Sequence, residues 1–138
     1  DRLPMTVGFS GLVILLIIDR LSLNAGVRLA FPLLIIGMCS IIGWHLGYLS
    51  LRPYLVVQFG CLIFSILTAI LTPSNIVKNK SIFWAIGLYA LAKFTESNDL
   101  VIYEKLNYLV SGHTLKHLLA ALALSSIFYP FYKNRKLR

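Results

Sequence analysis

The stretch LAFPLLIIGMCSIIGWHLGYLSL, residues 29–51, runs for 23 residues between Arg28 and Arg52 without a single charged side chain. At about 1.5 Å of rise per residue, a helix of that length crosses the roughly 30 Å hydrocarbon core of a bilayer. The rest of the chain has the same character. Hydrophobic residues fill 58% of 138 positions, 13% are charged and the mean hydropathy is +0.80. The charged share is about half that of soluble domains, and a soluble fold of this size has too little interior to hide so much apolar surface. The composition therefore predicts an all-α membrane protein and excludes an ordinary soluble enzyme.

Charges divide the chain into five apolar segments. Arg2 and Asp19 enclose residues 3–18, and Arg52 and Lys78 enclose residues 53–77, where Pro73 ends the helix near Thr72. Residues 81–92 form a short fourth segment that spans only if Lys93 snorkels and the helix runs on toward Thr95. The fifth, residues 106–132, carries His113, Lys116 and His117. Gly37, Gly43, Gly60 and Gly87 inside these segments suit close packing of membrane helices. Turn chemistry marks Asn24-Ala25-Gly26 and Pro73-Ser74-Asn75. The expectation is a multi-pass helical bundle of five transmembrane helices, one transmembrane domain over residues 1–138.

Basic residues orient the bundle. With the C-terminus cytoplasmic, that side receives Arg20, Arg28, Lys78, Lys80, Lys133, Arg135, Lys136 and Arg138, against Arg2, Arg52, Lys93 and Lys105 outside. This follows the positive-inside bias. Four of the five acids, Asp1, Glu96, Asp99 and Glu104, fall outside, so the +8 net charge gathers on the inner face. Anionic lipid headgroups are the partner that face predicts; nucleic acid is not, since no recognition fold or aromatic platform accompanies the charge.

Ser111-Gly112-His113-Thr114-Leu115-Lys116-His117 opens the last apolar segment. Two imidazoles four apart lie about one helical turn from each other on one face, which makes a two-pronged metal ligand. An ionisable group inside a span is expensive, and function is the default reading of one. If successive helices alternate in direction, Asp1, His45, His113 and His117 share the outer level of the membrane, and Zn²⁺ accepts both imidazole and carboxylate oxygen. His45, beside Trp44 and Tyr48, also reads as an interfacial residue, and Asp1 before Leu3-Pro4 as a helix cap. Lys116 lies about 60° from His113 on the side away from His117, free to pair with Glu96 or Asp99 or to reach the headgroups. Cys39 and Cys61 are isolated packing thiols.

Three stretches together carry a resemblance: Asp1-Arg2-Leu3-Pro4-Met5-Thr6; Leu51-Arg52-Pro53-Tyr54 with Val57-Gln58-Phe59; and Ser111-Gly112-His113-Thr114-Leu115-Lys116-His117-Leu118. In order and across the whole chain they resemble the alkaline ceramidase family, seven-helix membrane amidohydrolases related to adiponectin receptors. The resemblance implies zinc held by three histidines, two on the last helix and one on the family's second, and an aspartate bonded to the zinc-bound water. His113 and His117 look like the last-helix pair and Asp1 like the aspartate. The family's serine and histidine that precede the aspartate are not in this sequence, which opens in mid-motif. The expectation is a fragment covering the third to seventh helices and lacking the first two, inactive alone.

For the full-length protein the resemblance implies hydrolysis of the amide of a ceramide-like lipid to a sphingoid base and a fatty acid, with zinc as cofactor and Asp1 as general base. A receptor-like or lipid-binding membrane protein with a structural zinc is the alternative, because a fold alone does not decide activity. A haem is disfavoured, since two imidazoles on one helix face do not ligate opposite sides of one plane.

Overall fold

Charged residues stand at many of the helix ends, and capping chemistry sets others. The computed structural model describes residues 2–135, and among them the regular elements are α1 (Arg2–Arg20), α2 (Leu23–His45), α3 (Arg52–Leu71), α4 (Asn79–Ser97), α5 (Asp99–Lys105) and α6 (Gly112–Arg135). No strand occurs among the described residues. Helices α1, α2 and α3 are each long and apolar enough to cross a membrane. Asp1 lies outside the described residues.

Two boundaries differ from expectation. Asn24-Ala25-Gly26 is no turn: Ser22 caps α2, its Oγ accepting the Ala25 N–H at 3.4 Å, so the three residues form the helix's first turn. Gly26 faces Ile18 so closely that an added Cβ would lie 2.2 Å from Ile18 Cγ1. The second apolar run does not stay helical to its end either. Gly47 takes φ +78°, and the N–H groups of Gly47 and Tyr48 donate to Trp44 and Gly43 at 3.1 and 2.9 Å, a Schellman stop that ends α2 at His45. Helix α3 ends at Leu71, just before Thr72 and Pro73, as the proline predicts.

The chain forms two compact units, Asp1–Asn75 and Ile76–Arg138. In the first, α1 packs antiparallel to α2 and alongside α3, with Val13, Ile17 and Cys61 at the centre of its apolar core. Where α1 and α2 cross, Gly37 leaves room for Thr6 and Ser10; an added Cβ would come within 2.6 Å of Thr6 Cγ2. Most other large apolar side chains of these helices point outward, among them Phe31, Ile36, Val56 and Ile70. A surface of that kind is compatible with lipid around it. Polar groups close each end of the stack. At one end the Arg2 guanidinium lies 4.5 Å from the Trp44 ring centroid and 5.9 Å from that of Tyr54. At the other, Arg20 Nη1 donates to the carbonyls of Thr68 and Thr72 at 3.2 and 3.0 Å, which satisfies the last turn of α3, while Asn75 donates to the Asp19 carbonyl.

The second unit is a hairpin of α4 and α6. Ile82, Ala85, Ala92 and Thr95 of α4 face Gly112, Lys116, Ala123 and Ile127 of α6, all buried. Ser126 Oγ reaches the Ser81 carbonyl at 3.4 Å near the far end. The fifth apolar segment is broken before it becomes helix: α5 stops at Lys105, Asn107 and Tyr108 take φ of 50° and 63°, and α6 starts at Gly112. Asn107 is suited to that left-handed step because its short amide tolerates it.

Arg20→Ala removes the cap on α3 and leaves the Asp19 carboxylate, 2% exposed, without its guanidinium 3.9 Å away. We expect a loss of about 3 kcal/mol in the unfolding free energy, read from circular dichroism during denaturant titration in detergent.

Candidate functional site

The first turn of α6 is held by three neighbours. Ser111 is its cap, its Oγ accepting the Thr114 N–H at 3.1 Å while its carbonyl accepts that of Leu115 at 3.1 Å. Asp99, from the start of α5, takes the His113 N–H on Oδ1 at 2.8 Å and brings a negative charge to the positive end of the helix. Gly112 lies against backbone: an added Cβ would be 2.2 Å from the Thr95 carbonyl oxygen and 2.8 Å from Asp99 Cα. Neither atom moves without moving a helix. The glycine of the Ser-Gly-His motif is thus what lets α6 begin so close to the end of α4.

That seat presents His113 and His117 on the exposed face of α6. Their ring centroids are 4.8 Å apart, the planes cross at 74° and the two Nε2 atoms are separated by 3.1 Å. The pair is chemically complementary as it stands, one Nε2 donating its proton to the other. It also fits a shared metal ion. Two Zn–N bonds of about 2.0–2.1 Å at a tetrahedral angle place their nitrogens about 3.3 Å apart, so the rings need only a small adjustment to ligate one ion.

Lys116, between the two histidines, turns toward α4 while they stay exposed. It is 2% exposed, and its Nζ donates to Glu96 Oε1 at 2.9 Å. The other oxygen of that carboxylate accepts from Lys93 Nζ at 2.6 Å. Glu96 lies in the last turn of α4, past the uncharged run of residues 81–92. Partial burial pushes its carboxyl upward, but the hydrogen bonds from Lys93 and Lys116 and their charges outweigh that and hold it at about 2. The second partner weighed for Lys116, Asp99, caps α6 instead.

Among the described residues no third His, Cys, Asp or Glu joins the histidines in a group that would enclose a metal. His45 is the last residue of α2 and is exposed. Cys39 is exposed and Cys61 buried, both as free thiols. Sequence reasoning placed the two imidazoles on one helix face and offered Glu96, with Asp99 and the headgroups, as a partner for Lys116, of which the structure selects Glu96. It missed Ser111 as a cap, which a serine two residues before a histidine-rich helix start signals, and it missed Asp99 as the acceptor for His113, which no local pattern signals. No family model matches the chain, and no curated protein or solved structure is significantly similar to it.

Two outcomes follow from this seat. Gly112→Ala must separate α6 from the backbone of Thr95 and Asp99, with an expected cost of about 1–3 kcal/mol in thermal or denaturant unfolding. The Glu96 pairing gives a pH dependence of known sign: its folded-state value of about 2 lies below the ordinary 4.5, so its contribution is complete above 4.5 and is lost as pH falls toward 2. Helicity and amide exchange along α6 are expected to hold at pH 5 and to loosen between pH 4 and 2.

Proposed function

We propose that this chain belongs to a zinc-dependent intramembrane hydrolase that cleaves the amide bond of ceramide-like lipids, releasing a sphingoid base and a fatty acid. The observation that carries the reading is the convergence of His113 and His117, whose Nε2 atoms stand 3.1 Å apart on one helix face. Zinc bound there supplies a Lewis acid that makes water a nucleophile near neutral pH. His113 and His117 supply two neutral nitrogen donors, and the seat around Gly112 and Asp99 keeps their backbone in place. Asp1 is the proposed general base, taking the proton of the attacking water on its carboxylate and handing it to the leaving amine.

The surroundings of the pair support a lipid rather than a soluble amide. The histidines lie in the first two turns of α6, at the end of the hairpin that also holds Lys93, Glu96 and Asp99. Further along α6 the same face continues through Ala121, Leu124 and Phe128, all exposed and four, seven and eleven residues beyond His117. An acyl chain laid along that apolar strip leaves its amide at the level of the imidazoles, at headgroup depth. In this reading α4 and α6 are the fourth and fifth spans, with the last turn of α4 in the headgroup layer. The C-terminal end is cytoplasmic, and anionic headgroups meet Lys78, Lys80 and Lys133.

The test is fatty-acid release from defined ceramides by the protein of the complete reading frame in detergent, with bound zinc measured by elemental analysis. His113→Ala and His117→Ala are each expected to lower bound zinc well below one equivalent and release by at least about 100-fold, while Asp1→Ala keeps the zinc and loses the release. Zinc bound at full occupancy without release from any N-acyl lipid would replace this reading with the receptor-like one, in which the metal is structural.

A further inference from the structure

Among the described residues the buried seam of α6 carries one charged side chain. Gly112, Ala123 and Ile127 lie along it with Ala85, Ala92 and Ile82 of α4, contacts that carry no charge and tell the helix nothing about where an ammonium belongs. Lys116 differs. Its ammonium sits where only 2% of the residue is exposed, and it ends on Glu96 Oε1 at 2.9 Å. A buried ammonium turned away from its carboxylate is strongly unfavourable, so this contact selects the azimuth that keeps the two together. Lys116 and His117 are consecutive, and His113 is one turn back. The azimuth that satisfies the lysine is therefore also the one that turns both imidazoles outward, side by side.

We infer that Lys116 and Glu96 are positioning residues for the histidine pair: their ion pair fixes the rotation of α6 and holds the ammonium on the face away from the imidazoles. The consequence for zinc rests on the hydrolase reading; the consequence for the two rings does not. Without Glu96 the ammonium loses the 2.9 Å contact that draws it to α4, and any shift toward the rings repels a cation there. Lys93 completes the arrangement, occupying the second carboxylate oxygen at 2.6 Å and leaving Oε1 to Lys116.

Lys116→Met is the informative variant, since it fills the same space and strands no buried charge: Glu96 is 31% exposed and keeps Lys93. Two quantities are read on the full-length protein. The first is zinc affinity by competition with a fluorescent chelator, where Lys116→Met is expected to weaken binding about tenfold or more and Lys116→Arg to restore it. The second uses metal-free protein labelled with ¹⁵N-histidine: the wild type gives one protonated and one unprotonated Nε2 from the shared proton, and Lys116→Met collapses them toward a common averaged value. Glu96→Gln approaches the same contact from the other side, should the methionine variant lose helicity. A folded Lys116→Met protein with wild-type affinity and an intact ¹⁵N pair overturns the inference and leaves the hydrolase reading standing. Loss of the ¹⁵N pair in a protein whose wild type takes up no zinc does the reverse.

Discussion

Rotation of α6 about its own axis is the constraint on which the candidate site depends. Successive helical residues lie about 100° apart, so Lys116 and His117 cannot face the same way. One of them must meet α4, and the choice falls on the lysine because Glu96 waits there as its counter-charge. Burying the imidazoles instead would take the ammonium off Glu96 Oε1. The close start of the helix depends on Gly112, and the long hydrocarbon stem of Lys116 fills the space that small neighbours leave open. A cation beside two imidazoles is thus reconciled with them: its ammonium ends on Glu96, on the side of the helix that meets α4.

The first unit solves a related problem with arginines. In hydrocarbon every backbone polar group needs an internal partner, and the last carbonyls of a helix have none within the helix. Arg20 supplies one guanidinium to two carbonyls of α3, and the hydroxyls of Ser65, Thr68 and Thr72 fold back onto carbonyls three or four residues earlier. At the opposite end Arg2 lies over Trp44, an aromatic side chain suited to the membrane boundary. Charge here marks the ends of the helices, as the sequence segmentation assumes, but it also ties one helix to the next. Neither contact is local: Arg20 and Thr72 are 52 residues apart.

Legibility in the sequence follows the range of the interaction. The long apolar runs announce three helices of spanning length, because their signal is cumulative composition. Pro73 announces the end of α3 because proline acts on its own residue and the one before it. The early start of α2 at Ser22 and its stop at Gly47 were written in capping rules and obscured by reading charges as boundaries. For the site, the i,i+4 spacing of His113 and His117 is sufficient to place the rings together, since one helical turn does the work. Helical angle and sign of charge left Lys116 a choice of Glu96, Asp99 or the headgroups, and it is the α4–α6 hairpin that selects Glu96. Asp99 as the acceptor for the His113 amide, and Thr95 as the backbone that Gly112 must clear, arise from the hairpin and were not readable from any single segment.

What two imidazoles on one helix face amount to chemically is half of a tetrahedral shell. Their separation of 3.1 Å suits a single ion, and their exposure leaves the remaining positions open to whatever donates next. A third protein ligand with the fourth place left to water makes a catalytic centre, whereas a fourth protein ligand closes it into a structural one. The hydrolase and receptor-like readings therefore share everything along α6 and differ in one coordination position. The rigidity of the seat bears on that difference. A structural site tolerates ligands that adjust as the shell closes, because the metal itself supplies the ordering energy. A catalytic site with an open place has one ligand fewer to do that ordering and gains more from donors already aligned by the fold. The cap at Ser111, the carboxylate of Asp99, the missing Cβ at Gly112 and the anchored Lys116 constrain the backbone beneath the two rings, which is the kind of preorganisation that an open site would draw on more than a closed one.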